Sequence, residues 1–212
     1  MVRHMEPSLY APQAYRATDP AAIVRRYPFA LLVNQSPGGL SATSIPIYFE
    51  TDESERTMVG HLARNNPHAA ALHDGMSVLA VFSGPHAYIS SRWYRDKPQV
   101  PTWNYVAAQV RGTVEPIDDQ EGQLAVLRRT VTFMERDHEN PWSMEQAPDG
   151  RVAQLLPMIR SFRLTVERID GVTKLNQTHP AADRLNVIEH LLESGDGNDA
   201  EIARLMAALG LD

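Results

Sequence analysis

The chain has 212 residues, of which 43% are hydrophobic and 22% are charged, and its formal net charge is −6. This length and composition are typical of a globular protein with one ample hydrophobic core, or of one domain with an appendage. The negative charge argues against broad attraction to nucleic acid, which needs clustered lysine and arginine. Because the chain has no cysteine, it has no disulfide, thiolate metal site or thiol nucleophile.

The sequence has no feature of a membrane or secreted protein. No apolar run approaches the roughly 20 residues that a membrane-spanning helix needs, and the first residues lack the apolar core of a signal peptide. The absence of cysteine fits a reducing compartment. We therefore expect a soluble cytoplasmic protein with no membrane partner.

The first part of the chain consists of short strand patterns separated by turn signals. After a short helix near residues 23–27, strands are predicted at residues 29–34, 40–49, 57–63, 77–82 and 105–117, with a turn at residues 36–39 and a short helix at residues 68–75. Pro46 implies that the second of these strands is interrupted, bulged or at an edge. Many short strands of this kind suggest an antiparallel barrel.

From Asp118 onward the hydrophobic pattern becomes helical. Apolar residues at i, i+3, i+7 and i+10 predict one stripe on a helix of about five turns: Leu124, Leu127, Val131 and Met134. A further strand follows near residues 162–166. Pro180 stands where another helix would begin, and the apolar face predicted for that helix is Leu185, Ile188 and Leu192. A last amphipathic helix is predicted near residues 202–209.

Residues 81–105 concentrate aromatic side chains. They hold two of the three tryptophans and three of the seven tyrosines, between prolines that restrict the backbone and among Ser, His, Arg, Lys and Asn side chains. This composition suits an amphipathic pocket for a planar polar ligand. It equally suits a rigid structural loop whose rings pack on a β-core.

Common catalytic and cofactor motifs are missing from the sequence. The eight histidines lack the spacing of metal ligands, so no metal site is predicted. There is no GxSxG nucleophile elbow, no GxGxxG fingerprint and no Walker loop. We therefore predict neither a hydrolase triad nor a Rossmann or P-loop nucleotide site.

An anion site is one interpretation of the residues around the end of the third strand. His61, Arg64, Asn65 and Asn66 stand close together there, and arginine can bind phosphate through two parallel donors. The alternative is an Asn-Pro turn with a solvated arginine. Similarly, the hydroxyls of Thr43 and Ser44 are either ligand donors or ordinary strand groups, and Lys174 and Gln177 either meet an anion or cap a loop.

Five sequence blocks occur together in one order: ATSIPI (42–47), GHLARNNPH (60–68), VFSGPHAYISSRWY (81–94), VPTWNYVAAQVRGTV (100–114) and GVTKLNQTHPAADR (171–184). Together they resemble the PaiB-type family of FMN-binding negative transcriptional regulators. The resemblance runs from Tyr10 to about Leu192 and so covers nearly the whole chain.

The resemblance implies a mainly β fold with α-helices (α+β), namely an FMN-binding split β-barrel with flanking helices and a C-terminal helical extension. The barrel domain is expected at residues 1–175, and the extension, packed on the barrel or on a partner subunit, at residues 176–212. The resemblance also implies a homodimer with its flavin sites at the subunit interface.

The same resemblance implies a set of FMN contacts and no catalytic residue. The expected phosphate and ribityl contacts are Thr43, Ser44, His61, Arg64 and Asn65. The expected contacts on the ring side are Trp93, Tyr94, Thr102, Trp103 and Asn104, joined from the late block by Lys174 and Gln177.

Three positions depart from the family pattern. Ser91 stands where the family usually has a proline, and Ser44 stands where it usually has a histidine. The late block reads LNQTHPAADR where LSQN followed by Ser or Arg is more usual. These departures concern how the flavin is held and leave the fold unaffected.

Three functions follow from the resemblance as hypotheses. The first is a flavin-binding repressor of transcription, although the sequence has no recognisable DNA-binding motif and DNA contact would need a basic surface formed by a dimer or a partner protein. The second is a flavin-dependent oxidoreductase similar to flavin reductases or pyridoxamine-phosphate oxidases. The third is a binding protein for another planar cofactor, haem or a deazaflavin, beside His61 or His86.

Overall fold

The computed structural model describes residues 9–36, 38–95 and 97–210. Six strands lie in this part of the chain: β1 (Phe29–Ser36), β2 (Gly39–Phe49), β3 (Thr57–Ala63), β4 (Met76–Ile89), β5 (Thr102–Ile117) and β6 (Ile159–Lys174). The α-helices are α1 (Pro20–Arg26), α2 (Pro67–Ala71), α3 (Gln120–Glu135), α4 (Arg151–Leu155), α5 (Ala181–Glu193) and α6 (Gly197–Ala208). Residues 1–8 of the predicted barrel domain, and Pro37 of the predicted turn, lie outside the described residues.

The strands hydrogen-bond in the closed order β1-β2-β3-β6-β5-β4. The predicted α+β fold with a β-barrel is therefore confirmed. β1 and β2 are antiparallel neighbours, as are β2 and β3, and β3 and β6. None of the helices in the described part of the chain has the length and apolar character that crossing a bilayer requires.

Pro46 does not interrupt its strand. β2 runs through it without a break, and Pro46 pairs with Phe29 at the start of β1. The β2–β3 ladder begins one residue later, at the pair Ile47↔Gly60. Proline is tolerated here because its missing N–H falls outside that ladder.

The chain groups into two compact units. In the described part of the chain the first unit consists of residues 9–27, 82–109 and 170–210, and the second of residues 28–81 and 110–169. The division into a barrel domain (1–175) and a helical extension (176–212) stays a prediction.

The core of the second unit is built around an aromatic pair. The ring of Tyr48 stacks on that of Phe133 with centroids 5.0 Å apart, and both side chains are buried beside Val126. The Tyr48 hydroxyl hydrogen-bonds to Thr130, and burial raises the pKa of Tyr48 to about 12. The Arg136 guanidinium covers the Phe133 ring at 4.0 Å from its centroid. These contacts fix which face of α3 points inward.

That inward face corrects the stripe predicted for α3. The buried residues are Gln123, Val126 and Phe133, whereas Met134 is 40% exposed. The observed face has the predicted spacing but begins one residue earlier. Helical periodicity gives the spacing of a stripe, and its phase here follows from the position of Tyr48 on β2.

The first unit shows the same error on α5. Val187 and Leu191 are buried, whereas Leu185 and Leu192 of the predicted apolar face are 42% and 56% exposed. The buried face also includes the charged residues Asp183 and Arg184. Asp183 accepts a hydrogen bond from the backbone N–H of Arg95 at 2.6 Å. Hydrophobicity alone does not predict this buried face, because it includes a charged side chain that is buried with a hydrogen-bond partner.

α5 and α6 are joined by the short turn at residues 194–196. Gly195 has a φ of 73°, which is left-handed and favours glycine. The Asp196 carboxylate then accepts hydrogen bonds from the backbone N–H groups of Asn198 and Asp199 and caps α6. Ile202 and Met206 form part of the buried face of α6.

Glycines stand on both neighbours of β6. A Cβ on Gly60 of β3 would lie 2.9 Å from the Phe162 ring, and one on Gly112 of β5 would lie 2.0 Å from the carbonyl oxygen of Thr165. Both distances are too short for real carbon atoms. The approach of β3 and β5 to β6 therefore requires glycine at these two positions.

The aromatic pair provides a test of the α3 face. We expect Phe133→Ala to lower the free energy of unfolding by about 3–5 kcal/mol because it leaves a cavity against Tyr48. Met134→Ala, at the neighbouring exposed position, should cost less than about 1 kcal/mol. Urea denaturation of the two variants measures both values, and equal losses would contradict the buried face described here.

Candidate functional site

Arg160 on β6 holds three parts of the second unit together. Its Nε and Nη2 donate to the two carboxylate oxygens of Asp118 at 2.9 and 2.7 Å. Its Nη1 donates to the backbone oxygens of Ala69 and Leu72 at 2.6 and 3.0 Å. Hydrogen bonding from Arg160 lowers the pKa of Asp118. This guanidinium joins the C-terminal end of α2 to the segment that precedes α3.

Polar side chains at the start of α2 form a small hydrogen-bonded cluster with Thr43 of β2. The Asn66 side chain accepts a hydrogen bond from the backbone N–H of His68 at 2.9 Å and caps the helix. Asn66 Nδ2 donates to Thr43 Oγ1 at 3.2 Å, and His68 Nδ1 lies 2.9 Å from the same oxygen. Thr43 is half-buried and His68 is 4% exposed. We call these three residues the Thr43 cluster.

Arg64 directly follows β3 and precedes Asn66 of this cluster by two residues. Arg64 Nε donates to the backbone oxygen of Ile159 at 3.0 Å. Its Nη1 lies 3.7 Å from Asp118, and the side chain is 41% exposed. The guanidinium is thus held by its Nε, while the side chain remains partly exposed to solvent.

The other predicted phosphate contacts have different surroundings. Ser44 and Asn65 are exposed. His61 is half-buried, and its Nδ1 is a buried atom with no hydrogen-bond partner in the described part of the chain. Burial lowers the pKa of both His61 and His68, which favours neutral imidazoles.

A cleft of about 400 Å³ lies beside Arg64. Its lining includes Asp118, Gln123 and Leu156. Gln123 is buried, and its Oε1 has no hydrogen-bond partner among the described residues. The sequence pattern placed Gln123 outside the apolar stripe and gave no sign of this cleft.

Lys174 and Thr102 meet in the first unit. Lys174 Nζ donates to Thr102 Oγ1 at 2.5 Å and lies 5.8 Å from the centroid of the Tyr15 ring. The two residues come from β6 and β5, 72 positions apart in the chain. The structure thus brings two of the expected ring-side contacts together.

Tyr94 and Gln177 stabilise the turn that follows β6. The Tyr94 hydroxyl accepts a hydrogen bond from Asn176 Nδ2 at 2.9 Å, and its ring stacks on His179 at 4.9 Å. Asn176 has a φ of 58°, a left-handed conformation that asparagine tolerates. The Gln177 amide bonds to the backbone of Leu175, Thr173 and Ala14. In this structure both predicted contacts therefore hold the turn in place.

Trp103 belongs to a different group of rings. It is 53% exposed, and its ring lies 5.8 Å from that of Tyr88 and 6.0 Å from that of His86. Trp93 is not part of this group, because it stacks on His190 at 5.3 Å. The next residue after Trp103, Asn104, is fully buried and donates to the sulfur of Met206.

Sequence reasoning missed several members of these clusters. His68 and His86 lie in the blocks that carry the family resemblance, but neither is among the expected phosphate, ribityl or ring-side contacts. The signal that could have found His86 and Tyr88 is strand alternation, because β4 continues to Ile89 and points both side chains outward. No local signal identifies His68, since its bond to Thr43 spans 25 positions.

The closed barrel agrees in fold with solved flavoproteins. The flavocytochrome Anf3 of Azotobacter vinelandii is 13% identical, with a TM-score of 0.57 over 74% of this chain and 67% of that one. The FAD and heme binding protein of Mycobacterium smegmatis is 14% identical, with a TM-score of 0.52 over 81% and 78%. These similarities define the fold, a split β-barrel.

The sequence comparison then gives the family. A family model described as "Putative FMN-binding domain" matches residues 9–168, and the chain belongs to this family. It is 31% identical over 205 residues to "Protease synthase and sporulation protein PAI 2" of Bacillus subtilis, covering 93% of this chain and 96% of the relative. The resemblance to the PaiB-type family is thereby confirmed, and a flavin is the cofactor that the family implies.

Because burial disfavours their charged forms, His61 and His68 make the stability of the folded protein sensitive to acid. An unfolded histidine has a pKa of about 6.5, and burial lowers the pKa of His61 in the folded state. Below pH 6.5 the unfolded chain binds more protons, so the free energy of unfolding falls as pH decreases towards the folded pKa. His61→Asn should make this fall shallower, by up to about 1.4 kcal/mol per pH unit.

Urea denaturation at about pH 7 and about pH 5.5 measures the difference. His73→Asn, the same replacement at an exposed histidine, is the matched control. A His61→Asn variant with an unchanged pH dependence would show that His61 is not a source of the acid sensitivity.

Proposed function

We propose that this protein binds FMN and acts as a negative transcriptional regulator of the PaiB type, as a homodimer with its flavin sites at the subunit interface. The proposal is supported by the Thr43 cluster and by the solvent-exposed Arg64, two residues before Asn66 of that cluster, within a chain that belongs to an FMN-binding family. Hydroxyl and guanidinium donors are the groups that bind a phosphomonoester.

In this proposal one group of side chains binds the phosphate end of FMN. Thr43 and Arg64 donate to phosphate oxygens, and Ser44, His61 and Asn65 contact the phosphate or the ribityl chain. The donor set fits the ligand chemically, because Thr43 presents a hydroxyl and Arg64 presents a solvent-exposed guanidinium.

A separate group of residues is proposed for the ring-side contacts. Trp103 supplies an exposed aromatic surface for stacking, and the Lys174–Thr102 pair supplies polar donors. Trp93, Tyr94, Asn104 and Gln177 complete the proposed set of ring-side contacts.

Two helices bear on the regulator role. α5 and α6, joined by the turn at residues 194–196, have the order of a helix-turn-helix. However, α6 carries Asp199 and Glu201 against the single cation Arg204, and Glu201 is paired with both Arg204 and Arg26. An acidic helix does not suit the phosphate backbone, so we assign DNA contact to a surface formed in the dimer or to a partner protein.

The acidic character of α6 favours a second candidate, a flavin-dependent oxidoreductase of the flavin reductase or pyridoxamine-phosphate oxidase kind. A bound flavin would supply hydride transfer, and the exposed Trp103, Tyr88 and His86 rings would orient a planar substrate. Haem or a deazaflavin beside His61 or His86 is the remaining cofactor alternative.

Variants at the two ends of the ligand test the binding mode. Arg64→Ala should weaken FMN binding about ten- to a hundredfold and riboflavin binding by less than about threefold, because only FMN has the phosphate. Trp103→Ala should weaken both flavins by the same factor. Flavin fluorescence titrations measure these constants, and an equal loss of FMN and riboflavin in Arg64→Ala would remove Arg64 from the phosphate site.

Three measurements on the purified protein separate the functions. The absorbance spectrum after addition of FMN, a deazaflavin or haem identifies the cofactor, and a protein that takes up no FMN contradicts the proposal. A gel shift of its own upstream DNA at physiological salt, where weak phosphate attraction is lost, supports the regulator. Bleaching of bound flavin by a reduced nicotinamide, without a gel shift, supports the oxidoreductase.

A further inference from the structure

We propose that His68, with Asn66, is a positioning residue that makes the Thr43 hydroxyl an obligatory hydrogen-bond donor towards the ligand. The site would thereby select an anionic phosphomonoester over the corresponding neutral alcohol. This inference rests on the proposed binding of FMN, and it concerns a residue outside the expected contacts.

The direction of the Asn66 amide is set by the helix that it caps. Its Oδ1 accepts from the backbone N–H of His68 at 2.9 Å, so this atom is the oxygen and the other is the nitrogen. Asn66 Nδ2 therefore donates to Thr43 Oγ1 at 3.2 Å. One of the two lone pairs of the Thr43 hydroxyl is filled by this bond.

The remaining bond, between His68 Nδ1 and Thr43 Oγ1 at 2.9 Å, depends on the imidazole tautomer. His68 Nε2 is buried and has no hydrogen-bond partner among the described residues. A proton on Nε2 would leave a buried N–H without an acceptor, which is rarer in proteins than an acceptor with an open lone pair. The Nδ1–H tautomer avoids this state and donates to Thr43.

Both lone pairs of Thr43 Oγ1 are then filled, by Asn66 and by His68. Its hydroxyl proton can be used only as a donor to a third group. An oxygen of a phosphate is a strong acceptor for such a proton, and a charged acceptor about doubles the strength of the bond. A riboflavin hydroxyl in the same position gains less. His68 thus acts on the ligand through Thr43.

Affinities of FMN and riboflavin for the full-length protein test this assignment. Thr43→Val should lower the FMN-to-riboflavin affinity ratio about ten- to a hundredfold. His68→Leu should lower the ratio at least about threefold, because the hydroxyl regains rotational freedom. In the Thr43→Val background, His68→Leu should have no further effect, since its action passes through that hydroxyl.

Conservative replacements separate positioning from simple packing. An asparagine places its amide near the Nδ1 of histidine, whereas a glutamine places it near Nε2. His68→Asn should restore the ratio to within about twofold of the unaltered protein, and His68→Gln should not. His73→Leu, at an exposed histidine of the same segment, is the matched control and should leave the ratio unchanged.

The tautomer itself can be read from long-range ¹⁵N–¹H correlations of histidine, with the proton expected on Nδ1 of His68. A proton on Nε2, equal ratios in His68→Asn and His68→Gln, or an added effect of His68→Leu in Thr43→Val would each overturn the inference. If instead the unaltered protein binds neither flavin, the proposed function fails, and this result is distinct from those three.

Discussion

The paired charges of Arg160 and Asp118 are the constraint on which the candidate site depends. The guanidinium holds the last carbonyls of α2 and the carboxylate that precedes α3. Because Asn66 caps α2 and His68 lies in it, the position of this helix decides where Thr43 finds its partners. Asp118 also attracts Arg64. Through α2 and Asp118, Arg160 thus helps to position both the Thr43 cluster and the exposed Arg64.

The sequence predicted the strands well because their signals are local. Alternation and turn residues located β1, β2 and β3 to within two residues at each end, and the barrel was confirmed. The continuation of β4 through Gly84 and Pro85 was missed, since glycine and proline usually mark a turn. The buried faces of α3 and α5 were each displaced by one residue, because the phase of a helical stripe is set by what packs against it.

The candidate site was predictable only in part, for a related reason. The blocks that carry the family resemblance contain Thr43, Arg64, Lys174 and Thr102, and the structure connects Thr43 to the segment after Arg64 and Lys174 to Thr102. The bond between His68 and Thr43 joins residues 25 positions apart and depends on tertiary structure. The amide of Gln177, another expected flavin contact, hydrogen-bonds to the backbone of Leu175 and Thr173, and its contact with the ligand stays a prediction.

The two glycines beside β6 have a consequence for the charges as well as for the strands. Gly60 and Gly112 allow β3 and β5 to lie so close to β6 that a single added carbon on either side would overlap it. Arg160 is two residues from Phe162, which Gly60 faces. A side chain at either glycine would force a shift in or beside β6, the strand that carries Arg160, so that a steric change there would also bear on the Arg160–Asp118 pair.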